Sequence, residues 1–180
     1  MRPLIALCMI VKDEVGSIRG TLESVRDVVD HVTILDTGST YGTQKAILEA
    51  NVKGLVLHEQ PFVAFEKIQD RRIIDFAATR NLVLELESKR EDSAVFTLML
   101  SGDEKLLNGK ELRKWLEEHR DTPNDAYSVL MQMGAISWPY PRVLRVDGGR
   151  KYIYPIHEVP IGAKGEVGGE LIPNAVVMHS

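Results

Sequence analysis

A single cysteine, Cys8, stands among 180 residues, so no disulfide framework staples the chain. None is needed, because a chain of this length buries roughly 70% of the surface its unfolded form exposes. No apolar run approaches the roughly 20 residues that span a bilayer. The longest, Leu4 to Val11 (LIALCMIV), is followed by Lys12, Asp13 and Glu14 rather than by a small-residue cleavage site. It reads as a strand buried on both faces, and a cytoplasmic protein with no membrane span is the expectation. Positive charge is not in excess either: 22 Lys and Arg against 26 Asp and Glu give a net charge of -4. That balance argues against a general nucleic-acid or anionic-membrane binder. Internal repeats and low-complexity tracts are missing. Also missing is a glycine-rich phosphate loop, since VKDEVG stands at the first strand-helix turn, which argues against a dinucleotide dehydrogenase or a P-loop enzyme.

What is present alternates. After the first strand, Val15, Ile18, Leu22, Val25 and Val29 recur at helical steps and predict a helix over Glu14 to Val29. HVTILD (31–36) and GLVLH (54–58) read as strands, with a short helix over Thr43 to Ala50 between them. A longer helix is expected from about Asp70 to Arg90, its apolar face including Ile73, Phe76, Ala77, Val83 and Leu84. AVFTLML (94–100) predicts another buried strand and Lys110 to Arg120 another helix. Such alternation indicates βαβ units and a parallel sheet covered on both faces. Beyond residue 120 the pattern is β-rich: Ala126 to Met133, a WPYP segment that cannot be regular helix, and a hairpin over Arg142 to Ile156 turning at Asp147, Gly148 and Gly149.

In open α/β sheets ligands bind beyond the carboxyl ends of the strands. That rule gathers Lys12 to Glu14, Asp36 to Ser39 and Ser101 to Glu104 on one carboxylate-rich edge. Each carboxylate alone is as well explained as a cap or a solvated loop residue; three strand ends with the same chemistry point further. Carboxylates beside a phosphate require an intervening divalent cation, and Mg²⁺ or Mn²⁺ takes such oxygen ligands. Arg80 lies one turn beyond Phe76 and Ala77, which places it near the buried side of its helix and calls for an anionic partner, unless it snorkels to the surface. His157 and His179 are satisfied structural histidines by default and metal or phosphate ligands otherwise. Trp138 and Tyr140 of WPYP fit a sugar-stacking platform, or core and interface positions equally well.

Five segments in order, LIALCMIVKDE (4–14), LDTGSTYGT (35–43), DFAATRN (75–81), LSGDEKL (100–106) and PRVLRVDGGRKYIYPIHE (141–158), resemble family 2 glycosyltransferases of the GT-A fold. The resemblance implies a Rossmann-like nucleotide-diphospho-sugar transferase fold in one domain over 1–180. Its nucleotide-binding half would be 1–120, and 121–180 would be an acceptor- and metal-completing half with a small mixed β annex. It implies inverting transfer of a sugar from a nucleotide diphosphate, commonly a UDP-sugar, to an acceptor hydroxyl with Mn²⁺ or Mg²⁺. Carried over by position, Glu14 and Asp36 hold ribose and base, Thr37, Gly38 and Ser39 shape the adjoining loop, and Arg80 approaches the diphosphate. Asp103 and His179 ligate the metal, and Glu158 or Glu104 acts as general base. The acceptor, whether glycan, lipid or protein, is left open, and a homodimer is compatible with the pattern.

Three departures from that family pattern stand in the sequence, two bearing on activity and one, at Tyr41, on stability. Ser101 stands where a first aspartate of a DxD element is expected, next to the donor ribose, so the element reads SGD. Tyr41 replaces an aspartate that caps the following helix, at a cost of about 1 kcal/mol. Relatives carry more sequence beyond the late histidine, which predicts an acceptor site that is minimal, completed by another subunit, or absent. The alternative function is therefore a catalytically degenerate domain of the same fold that binds nucleotide-sugar or glycan.

Overall fold

The computed structural model describes residues 1–68 and 71–179, with backbone only over 65–68 and 71–73. Three apolar runs form the buried strands β1 (Ile5–Val11), β2 (His31–Asp36) and β6 (Phe96–Leu100), every residue of which is buried. With β3 (Leu55–Glu59) they build a parallel block in the order β3-β2-β1-β6. Most of the β-rich second half extends the same sheet. β9 (Ile136–Arg145) pairs antiparallel with β6, and β8 (Ala126–Met133) antiparallel with β9. β12 (Glu170–His179) runs parallel to β8, and β7 (Glu104–Leu107) closes the edge antiparallel to β12.

Period-two alternation along β1 splits the core in two. Ile5, Leu7, Met9 and Val11 pack with Ile18, Leu22 and Val25 of α1 (Ile18–Val25), Ile47 of α2 (Thr43–Glu49) and Leu112 and Leu116 of α4 (Gly109–Glu118). Cys8 and Ile10 face the other way, toward Ala77 and Val83 of α3 (Phe76–Ser88). Covered on both faces, these strands need no polar alternation.

Several elements differ from the sequence expectation. The first helix starts only at Ile18, and Val15 is half exposed in the preceding turn. The long helix begins at Phe76, where the Asp75 carboxylate accepts the Ala78 N–H at 2.8 Å and caps the first turn. Of the segment expected to open that helix, Asp70 lies outside the described residues and Arg71–Ile74 forms β5, paired with β4 (Ala64–Ile68). The expected hairpin over 142–156 does not form. Val146–Gly148 is a single 3-10 turn that sends β10 (Lys151–Ile153) away to pair with β11 (Val159–Ile161). Tyr41 is exposed and caps nothing, because the position before α2 is Gly42. Among the described residues no helix is long and apolar enough to cross a membrane.

Candidate functional site

The loops after β1 and β2 are tied together. Ser39 Oγ accepts the Asp13 N–H at 2.9 Å, and Asp13 Oδ1 accepts the Thr40 N–H at 2.7 Å. Asp36 is buried at the end of β2, and its Oδ1 accepts the N–H groups of Gly38 and Ser39 at 3.0 and 2.8 Å. Burial works against its charge, but the hydrogen bonds from Ser39, Gln44 and Gly38 outweigh it and hold the carboxyl below its usual range. The turn requires φ of 105° at Gly38, a conformation open to glycine. Thr37 directs its hydroxyl to the Val11 carbonyl at 2.8 Å.

Glu14 and the SGD turn are in contact. A Cβ on Gly102 would sit 2.6 Å from Glu14 Cγ, so only glycine lets the two loops meet this closely. Glu14 also accepts the Ser17 hydroxyl at 2.6 Å. Behind the turn, the buried Glu104 accepts the Ser101 N–H at 2.7 Å through Oε2 and Arg142 Nη2 at 2.5 Å through Oε1. The β12–β7 register places His179 opposite Glu104 and brings His179 Nδ1 to 3.4 Å from Asp103 Oδ2. That Nδ1 is buried and makes no hydrogen bond. A carboxylate oxygen beside an imidazole nitrogen that no hydrogen bond occupies suits a divalent cation. Among the described residues no cluster of three or more metal-ligating side chains occurs, so further ligands would come from elsewhere, as is usual for Mg²⁺ bound with substrate phosphates.

Capped by Asp75, α3 directs Arg80 inward, where the residue is 8% exposed. Its Nε donates to Glu158 Oε1 at 2.6 Å. Burial disfavours the guanidinium charge, while the Glu158 carboxylate bonded to it, with Glu104 further off, outweighs burial and keeps the arginine charged. The next residue, Asn81, grips the Tyr152 backbone from both sides, donating to its carbonyl and accepting its N–H, each at 2.8 Å. Glu158 follows a loop in which Tyr154 and His157 both adopt left-handed backbone, at φ 68° and 57°, which is uncommon outside glycine. The Tyr140 hydroxyl donates to the Glu158 carbonyl. Together Arg80, Tyr140, Arg142, Tyr152, His157 and Glu158 line a cavity of about 330 Å³.

The sequence-predicted residues thus fall into three linked groups: Asp36 to Ser39 with Asp13, Glu14 with Ser101 to Glu104 and His179, and Arg80 with Glu158. Neither Glu14, Asp36 nor Asp103 lines the cavity. Arg142 joins the last two groups, because it lines the cavity and binds Glu104. Sequence reasoning does not single it out, although a cation inside the buried run Pro141–Leu144 is itself a signal that an anion waits behind it. Tyr152 and Asn81 escape it as well. Trp138 is 37% exposed, two positions along β9 from Tyr140. His31 is buried at the opposite sheet end, bound to Glu87 at 2.7 Å, and His119 stacks on Trp115 at 3.6 Å.

No family profile matches the sequence. The chain is 32% identical over 164 residues to a TPR repeat-containing protein of Synechococcus elongatus. The match covers 86% of this chain and 35% of that protein, so the chain spans about a third of the length of the curated relative it matches. Two crystal structures of S. aureus TarS, one of residues 1–349, superpose with a TM-score of 0.67 at 13% identity. Each covers 98% of this chain, and this chain covers 60% and 36% of them respectively. The likeness is one of architecture: the chain has the mixed α/β arrangement of the GT-A fold.

Proposed function

We propose that this chain is a glycosyltransferase of the family 2 type, a single GT-A domain that moves a sugar from a nucleotide diphosphate, with UDP the leading candidate, to an acceptor hydroxyl with inversion. The observation that carries the reading is the Asp103–His179 pair, held at the carboxyl edge of β6 with His179 Nδ1 3.4 Å from Asp103 Oδ2 and engaged in no hydrogen bond. Asp103 and His179 would hold Mn²⁺ or Mg²⁺. A divalent cation there supplies positive charge to the diphosphate as it departs.

The same proposal gives the other residues their roles. Asp36 and Glu14, with Thr37, Gly38, Ser39 and Ser101, bind the nucleoside end. Arg80 meets negative charge as it builds on the leaving phosphate, stabilising the transition state more than the ground state. Glu158 takes the proton of the acceptor hydroxyl while that oxygen bonds to the anomeric carbon on the face opposite the breaking bond, which inverts the centre. Glu104 has both oxygens occupied and does not line the cavity, which favours Glu158 as base and gives Glu104 a positioning role.

Calorimetric titration of UDP, then GDP, with Mn²⁺ and again with EDTA tests the donor site. Metal-dependent binding lost in Asp103→Ala supports it, and no binding of either nucleotide in any condition overturns it. Binding without transfer to any acceptor, unchanged in Glu158→Gln, would instead identify a degenerate binding domain.

A further inference from the structure

The cavity between α3, β9 and β10 holds two buried donors that nothing among the described residues accepts. Arg80 gives Nε to Glu158, yet its Nη1 is buried without a partner. Tyr152 is 3% exposed, and its hydroxyl is likewise buried and unpartnered. Both side chains line the same 330 Å³ space, with the guanidinium carbon 5.8 Å from the tyrosine ring centre. Both are held at their base. The Tyr152 backbone is gripped by Asn81 through two hydrogen bonds, and the Arg80 side chain is anchored by Glu158.

An unsatisfied buried donor is costly, and two facing one cavity mark a place where an outside acceptor belongs. Arg80 and Arg142 line the cavity, each already paired with one carboxylate, Glu158 and Glu104, so the donors left over are Arg80 Nη1 and the Tyr152 hydroxyl, and an acceptor with several oxygen lone pairs fits both. Burial drives the Tyr152 phenol upward, keeping it a neutral donor through the physiological range. We infer that Arg80 Nη1 and Tyr152 Oη form a two-donor clamp for a phosphoryl group of the substrate, with Tyr152 a binding residue for that group. The inference rests on the glycosyltransferase reading for the origin of the phosphoryl group, which is either the donor's diphosphate or a phosphate carried by the acceptor.

The test is Tyr152→Phe, which keeps the ring and removes the hydroxyl. Melting of the ligand-free protein and calorimetry with inorganic pyrophosphate, without added metal, are the two readouts. The clamp predicts a melting temperature equal to or above that of the unaltered protein, together with pyrophosphate affinity about ten-fold weaker, since a charged hydrogen bond is lost. Arg80→Lys, which keeps the charge and removes Nη1, should weaken pyrophosphate similarly. Competition between UDP and pyrophosphate assigns the clamp to the donor; simultaneous binding assigns it to the acceptor. A Tyr152→Phe protein that melts lower yet binds pyrophosphate unchanged overturns the clamp and makes the hydroxyl structural. Metal-dependent UDP binding that is indifferent to Tyr152→Phe, with no pyrophosphate binding, sinks the clamp alone. Absence of both UDP and pyrophosphate binding sinks the clamp and the glycosyltransferase reading together.

Discussion

Arg142→Met keeps most of the side-chain volume and removes the cation from a buried pair. Glu104 and Arg142 have side chains only 4% and 11% exposed, and they meet at 2.5 Å. The substitution would leave the Glu104 carboxylate in the interior with the Ser101 N–H as its remaining donor. Breaking a buried pair from one side costs about 3–5 kcal/mol. For a chain of this size that lowers the melting temperature by roughly 6–20 °C. Glu104→Gln keeps the shape and loses one charge-assisted bond, at about 1–3 kcal/mol. Because the two side chains act on each other, the double variant should cost less than the sum of the single ones by about 0.5–3 kcal/mol. Urea unfolding followed by tryptophan fluorescence measures all three. The variants should also weaken Mn²⁺ binding, since Glu104 holds the turn that presents Asp103. Arg142→Met within about 1 kcal/mol of the unaltered protein, or strictly additive costs, would refute the pairing argument. If Glu104 were the general base, Glu104→Gln would abolish transfer while Glu158→Gln left it intact.

Two further outcomes follow from other parts of the structure. Burial pushes the Glu87 carboxyl up, but hydrogen bonds from His31, Ala94 and Thr33 outweigh it and hold it below its usual range. Its contribution is therefore complete above the unfolded value of about 4.3 and lost as pH falls through the lower folded value. Glu87→Gln should cost about 1–3 kcal/mol at pH 7, and the gap should narrow by about pH 3 in urea melts; an equal gap at both would contradict the assignment. Gly102→Ala puts a methyl group against Glu14, with about 1–3 kcal/mol of strain relieved by moving that side chain. Nucleotide affinity in calorimetry should fall, and unchanged affinity would detach Glu14 from the nucleoside end.

The parallel half is legible in the sequence because its strands are continuous apolar runs that stop at polar turns, as LIALCMIV does at Lys12. Partner choice in the second half is not. The Asp147–Gly148–Gly149 stretch has the composition of a tight hairpin turn, yet β9 finds its partners in β6 and β8, and the hairpin turn lies at Gly134, with φ 57°. Local composition fixes where a chain can bend; which strands then pair depends on distant surfaces. Pro139 and Pro141 look disruptive but lie where β9 pairs only with β8, so one side of the strand needs no N–H donors. Ile73 fits a helical stripe and draws the expected start of α3 too early, while Asp75 is the residue that satisfies the first turn. For the site, strand ends locate the carboxylates, whereas the buried tyrosine and Arg142 are defined by what faces them across the fold.

The pairing of β12 with β7 sets one more property. Asp103 belongs to the turn before β7 and His179 to the far end of β12, so their proximity exists only while that register holds. β7 lies at the sheet edge and touches one strand neighbour. A ligand that bridges the two residues would therefore act as a latch on the edge of the sheet. Amide hydrogens of Lys105 to Leu107 and Val176 to Met178 should then exchange more slowly when it is bound, while those of the buried β1–β6 block stay as they were.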